Sequence, residues 1–475
     1  MATSEMGRPP GESSIPMPTA FDKLTIDDPT RLIFGTAPRP VRCGTGLEIG
    51  AGAVYPELNF TLPPMTIEHA SWAKVRAIYE GVIKAAVKRA GELSLEGLVV
   101  EFEHLPPMTA VAEWGAELTR LLKDHLCAAG EEFGLKAALR VTIVDLREET
   151  KPPQRRHGPA WERMEASLEA CAAAGADILS IESTGGKEVH DAALTRADVP
   201  GIVFALGVLA PRDMAWLWDR FVEVSHRHGR IPGGDTACGF ANTAMQLAGQ
   251  QMLPDVLAAL VRAMSTVRSL VAVERGAVGP LKDCGYENPV IKAIAGCPIS
   301  MEGRSATCAH LSPIGNIAAA AADLWSNESV PDLRLLSGSA AIASLESLAY
   351  DCRLFNTATR RGSALELRDL HVAGDVELSA QAALLTPEAC LALGRAIVSA
   401  RDPYTRTLAA GRTALDWLAR CVEEGRLRMP AREQRWFDRL RQAFDRLPSS
   451  PEALAADIRP RFGGLFDGGA YDFQN

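Results

Sequence analysis

What most constrains this chain is the regular alternation of short apolar runs with helical patterns. Between residues 66 and 340 an apolar run of five to eight residues recurs at intervals of roughly 30–45 residues, and a stretch with helical spacing lies between most of them. Strands separated by helices pair in parallel, because the crossover returns each strand in the same direction. The runs at 97–103, 137–144, 177–182, 202–208, 230–235, 269–274 and 333–337 give about seven candidate strands. That number, over about 250 residues, suits a (β/α)8 barrel or a large doubly wound sheet. The Gly44, Gly46 and Gly50 spacing is off by one from the dinucleotide fingerprint, and prolines rather than a helix follow it. We therefore expect an α/β TIM (β/α)8 barrel.

Three segments frame the barrel. Residues 1–40 are rich in Pro, Gly and Ser and read as a partly disordered arm. Residues 41–345 carry an N-terminal hairpin and the barrel, with a first helix capped at Thr66. Residues 346–475 read as a helical extension ending in a loose, Gly-rich tail after Phe462.

Composition narrows the class. Of 475 residues, 47% are hydrophobic and 23% charged, which excludes a disordered chain. The net charge of −9 and the lack of a Lys/Arg-rich run argue against nucleic acid as a partner. No run of 18 apolar residues suggests a membrane span, and the N-terminus lacks the apolar region of a secretory signal. A cytoplasmic location is expected, where the ten cysteines stay reduced. No GxSxG or P-loop is present, so the common serine hydrolases and Walker NTPases are set aside.

In a parallel barrel the chemistry sits at the C-terminal ends of the strands. Glu182 ends one apolar run, where its side chain would point into the barrel mouth; alone it reads more simply as a water-facing carboxylate. Cys238 follows the turn Gly233-Gly234 at the start of a helix, where the helix dipole favours a thiolate; its plain alternative is a small buried residue. Cys284 lies in a Gly/Pro-framed loop after the run ending at Glu274. One carboxylate and two thiols after three strands would make a zinc site with an open fourth position. The spacing is too long for that to be specific. His226 and His228 read as a solvated helix end, Cys297 and Cys308 as structural, and His310 as a loop histidine able to orient a substrate.

The phrases around these residues carry more. GGDTACGFANTAM at 233–245, KDCGYENP at 282–289, IESTGGKE at 181–188 and LEIG at 47–50 resemble the zinc subunit of the methanol:corrinoid methyltransferases, over about residues 30–460. The resemblance implies a TIM barrel with zinc held by Glu182, Cys238 and Cys284. It implies a corrinoid protein as partner, carrying the cobalamin, and a homodimer of such pairs. Zinc would act as Lewis acid on the methanol oxygen while cob(I)alamin takes the methyl group. Three anionic ligands make that zinc a weak Lewis acid, and Asp235 is expected to support the ligands or handle a proton. Another methyl donor such as a methoxylated compound, decided by the rim at 296–310 and 336–346, is the alternative. A corrinoid-independent zinc hydrolase or lyase, or a silent binding subunit, are further ones.

Overall fold

The computed structural model describes residues 20–303, 314–336 and 338–473. Its centre is a parallel sheet curled into a barrel. An antiparallel hairpin comes first, β1 (Thr36–Cys43) and β2 (Leu47–Ala51). The barrel strands follow: β3 (Tyr55–Phe60), β4 (Gly97–Glu103), β5 (Lys136–Val144), β6 (Ile178–Glu182), β7 (Ile231–Asp235), β8 (Ser300–Glu302) and β9 (Leu324–Ser329). They run in the order β7-β6-β5-β4-β3-β9-β8, every pair parallel. Between β7 and β8 the segment 278–281 does the work of an eighth strand. Val278 donates to the Pro232 carbonyl at 2.9 Å, and Leu281 bridges Ile299, giving its carbonyl to Ser300 N–H at 3.0 Å. The TIM-barrel expectation is met, with the last strand reduced to a bridge.

Three of the expected strands are not strands of the barrel. Residues 202–208 lie in a helix running from Val199 through a π turn into Arg227. Residues 269–274 end the helix Asp255–Glu274, and 333–337 touches only a two-residue hairpin. The reason is burial. Helix Asp255–Glu274 lies beneath the C-terminal helices, buried from Val256 to Val273 on every face. With no wet face it has no helical periodicity to read. It and Val199–Arg227 are long and apolar enough to cross a membrane, yet both are mostly enclosed by the protein. The barrel strands β3, β8 and β9 take the vacated places.

Boundaries shift for the same reason. The first helix is Trp72–Glu92 with Ser71 before it, not Thr66, whose carbonyl instead accepts from the Ser71 hydroxyl at 2.7 Å. Residues 1–19 of the expected arm lie outside the described residues, and the rest is no arm. Ile26, Leu32 and Phe34 are buried, and Ile26 N–H donates to the Ala293 carbonyl at 2.9 Å. The hairpin β1-β2 closes the N-terminal end of the barrel, packing Cys43, Leu47 and Ile49 on Val99, Ala138, Ile178 and Leu324. The expected break at 345/346 falls inside helix Ala340–Arg360.

The C-terminal tail is not loose. The buried Tyr471 hydroxyl donates to Glu188 Oε1 (2.6 Å) and accepts from Arg155 Nε (3.1 Å) and Gly186 N–H (2.9 Å). The chain end is thereby tied to the turn that follows β6.

Inside the barrel sits a fully paired arginine. Arg140 on β5 donates through Nε to Glu57 Oε1 on β3 (2.6 Å), and through Nη1 to Ser180 Oγ on β6 (3.0 Å) and the Pro280 carbonyl (2.9 Å). The Ser300 hydroxyl of β8 donates to the other Glu57 oxygen. Gly233 makes room for this: a Cβ there would stand 2.5 Å from Ile178 and 3.1 Å from Arg140 Nη1.

Candidate active site

At the C-terminal ends of the strands the barrel opens into an acidic cup around one lysine. Lys282, which follows the eighth-strand segment, is buried with its Nζ close to Asp283 (2.7 Å), Glu101 (3.0 Å), Glu182 (3.2 Å) and Glu103 (3.4 Å). Burial works against the Lys282 charge, but the surrounding carboxylates outweigh it and hold its pKa well above the ordinary value. Each acid is aimed by a neighbour. Thr142 donates to Glu101 (2.6 Å), Asn59 to Glu103 (3.0 Å) and Ser326 to Asp283 (2.8 Å). One cation cannot neutralise so many carboxylates. Burial pushes Glu182 up, with Lys282 opposing and Glu103 adding to the rise. Glu328 at the end of β9 is pushed up to about 7 by burial and then by Glu103 and Asp283.

Two of the three expected ligands meet. Cys238 Sγ donates to Glu182 Oε2 at 2.9 Å. Cys284 is turned elsewhere, its thiol donating to Glu302 Oε1 at 2.8 Å, beside the Tyr286 hydroxyl on Glu302 Oε2 at 2.6 Å. Among the described residues no three His, Cys, Asp or Glu side chains are grouped so as to hold a metal ion. Cys284 has a φ of 55°, a left-handed conformation that costs a residue with a Cβ and that clusters at functional sites. Cys238 does open a helical turn, Cys238–Asn242, but the expected dipole-lowered thiol is not found. Burial pushes its pKa well up, and the charge of Glu182 adds to that.

Asp235 ends β7, buried behind the cup. Its Oδ1 accepts from the N–H groups of Thr236 (2.8 Å) and Ser183 (3.2 Å), and its Oδ2 from Trp218 Nε1 (3.0 Å). Cys297 is buried. Cys308 and His310 lie outside the described residues. His228 caps its helix and meets Glu169 at 2.6 Å. A cavity of about 1080 Å³ opens at the other end of the barrel, bordered by Phe21, Leu24, Arg39, Val41, Val278 and Cys297.

Sequence reasoning missed most of the cup. Glu101 and Glu103 had a legible signal, two carboxylates at alternate positions closing an apolar strand. Lys282 stood in a quoted phrase without being chosen. Glu302 and Glu328 were hidden with strands β8 and β9.

A parallel barrel with acids, thiols and a buried lysine at its C-terminal face is the architecture of a barrel enzyme. Comparison with known proteins gives the kind. The methanol-cobalamin methyltransferase B subunit family matches residues 19–468. Over 448 residues the chain is 37% identical to the methanol–corrinoid protein co-methyltransferase of Methanosarcina barkeri (strain Fusaro / DSM 804), covering 93% of this chain and 96% of that one. The crystal structure of the methanol:cobalamin methyltransferase complex MtaBC from Methanosarcina barkeri matches with a TM-score of 0.92 and 35% identity, over 96% of this chain and all of the matched chain. The chain belongs to the methanol-cobalamin methyltransferase B subunit family and is a methyltransferase.

Proposed function

We propose that this chain takes the methyl group of methanol and passes it to the corrinoid of a partner protein, using zinc held by Glu182, Cys238 and Cys284. The observation that carries the zinc reading is the Cys238–Glu182 hydrogen bond at 2.9 Å beneath an excess of carboxylates. Cys238 and Glu182 would be two of the residues that hold zinc, and the surrounding carboxylates would favour its charge. The donor set, two thiols and a carboxylate, suits zinc. Cys284 would exchange its bond to Glu302 for the metal. Bound zinc supplies Lewis acidity at the methanol oxygen, without which the C–O bond is inert.

The chain's own residues do the rest. Glu302 Oε1 stands where it can take the proton of the Cys284 thiol. Lys282 holds Glu182 Oε1, leaving Oε2 toward Cys238. Of the two roles expected of Asp235, its four hydrogen-bond donors favour supporting the ligands over handling a proton. We place the enzyme in the cytoplasm as a homodimer that binds a corrinoid protein at the barrel mouth.

The test is zinc content beside anaerobic, methanol-dependent methylation of cob(I)alamin. About one zinc per chain is expected, and Cys238→Ser and Cys284→Ser should each lose metal and activity. Full zinc in both variants overturns the site. Zinc without methylation from methanol, but with methylation from a methoxylated compound, replaces the donor. Turnover with no corrinoid acceptor replaces the reaction class.

A further inference from the structure

The helix Asp255–Glu274 holds the turns that carry Glu182 and Cys238. Arg268 is fully buried on it. Its Nη1 donates to the Thr236 carbonyl at 2.7 Å, and its Nη2 to the Ser183 carbonyl at 3.2 Å and to the Ser183 hydroxyl. Ser183 is the residue after Glu182, and Thr236 lies two before Cys238. One planar guanidinium thus spans the turns that carry Glu182 and Cys238. Asp235 completes the brace: its Oδ1 lies 3.4 Å from Arg268 Nη2 and accepts the N–H groups of the same two residues, Ser183 and Thr236. The guanidinium carbon sits 4.9 Å from the ring centre of Phe240, two residues past Cys238. From the same helix, the Ser269 hydroxyl donates to Glu287 Oε1 (2.9 Å), which also accepts Ala237 N–H (2.7 Å).

We propose that Arg268, with Asp235 as its counter-ion, is a positioning residue that sets the separation of Glu182 and Cys238. It touches neither methanol nor any ligand atom. Its reach is through backbone carbonyls, so a side chain with one nitrogen cannot replace it. Lysine has its donors on a single atom and cannot hold two carbonyls in a fixed fork. Residues that orient metal ligands from behind matter about 10–100-fold to metal affinity or activity.

The metal readout rests on the ligand assignment made above, so the test has a second arm that does not. In the full-length chain, Arg268→Lys should keep the charge and the far-ultraviolet circular dichroism of the wild type. Its zinc dissociation constant, by competition with a chelator, should rise about 10–100-fold, and kcat should fall by a similar factor with KM for methanol moving less than about threefold. Asp235→Asn, which keeps the volume, should shift both in the same direction by about tenfold or less. In the metal-free protein, alkylation of Cys238 by iodoacetamide, located by peptide mapping, should change by about tenfold in Arg268→Lys, because the Glu182 acceptor moves away. Should wild-type chain bind no zinc, the ligand assignment fails and the alkylation arm alone decides. Unchanged alkylation in Arg268→Lys overturns the proposal, as does wild-type zinc affinity with wild-type kcat. If Arg268→Lys does not fold, Asp235→Asn carries the same measurements, and wild-type values in it overturn the proposal.

Discussion

The clusters of buried charge within this barrel differ in how they are balanced. In the barrel interior Arg140 and Glu57 meet one to one, with serine hydroxyls and a carbonyl filling the remaining positions. Beside the turn after β6, Arg147 is likewise held by Asp145 and Asp213, both at 2.8 Å. At the mouth, by contrast, among the described residues Lys282 alone is ion-paired with Glu101, Glu103, Glu182 and Asp283. Burial costs any unpaired ion several kcal/mol, so a fold that needed only stability would not gather these acids. The Arg140 cluster ties β3, β5, β6 and β8 together. On the proposed reading, the acid-rich cluster at the mouth is where zinc would bring further positive charge.

That difference can be broken by removing the cation from each cluster. Arg140→Met strands Glu57 in the barrel core and should cost about 3–5 kcal/mol in urea unfolding. Lys282→Met should cost the metal-free protein less, about 1–3 kcal/mol, because Glu101 and Glu182 can take up protons. Saturating zinc should restore part of the loss in Lys282→Met and none in Arg140→Met. Equal rescue of both, or of neither, would remove the distinction between the clusters.

A smaller effect tests whether the tail belongs to the paired kind. Tyr471→Phe leaves Arg155, Glu188 and the Gly186 N–H short of a partner. Stability should fall by about 1–3 kcal/mol, with the same loss whether zinc is present or not. A loss that zinc reverses would make the tail part of the active site.

How much of this could be read beforehand follows from the same contrast. Strands β4, β5 and β6 were legible because each is an apolar run bounded by polar turns, and Glu182 was legible as the residue where one stops. The helix Asp255–Glu274 was not, since burial on all sides erases the period that marks a helix. With it went Arg268, whose partners lie 85 and 32 positions away in the sequence. β8 is three residues long and β9 ends in Asn327, Glu328 and Ser329, so neither stands out as an apolar run. The approach of Cys238 to Glu182 followed from placing both at strand ends. The turn of Cys284 toward Glu302 depends on a strand that the pattern does not mark.

The smallest expected effect, a pH profile, sets one group from each region against the other. His104 follows β4 on the structural side, with Nδ1 at 3.0 Å from Thr109 Oγ1 and Phe102 against its ring, and burial lowers its pKa to about 3. Between pH 3 and 6.5 the unfolded chain binds its proton and the native one does not, so His104 makes stability rise with pH across that window. Glu328 belongs to the mouth, and its carboxyl is raised from 4.5 to about 7. Between those values the native state holds the proton that the unfolded chain has lost, so stability falls as pH rises. Each group sets a slope of at most about 1.4 kcal/mol per pH unit, and from pH 4.5 to 6.5 the two oppose. In metal-free protein, Glu328→Gln should therefore steepen the rise of stability over that range, and His104→Gln should flatten or invert it. Zinc at the mouth favours an ionised Glu328, so the Glu328→Gln difference should shrink when metal is added while the His104→Gln difference stays. A His104 difference that also vanished with metal would place that histidine with the cup rather than with the frame beneath it.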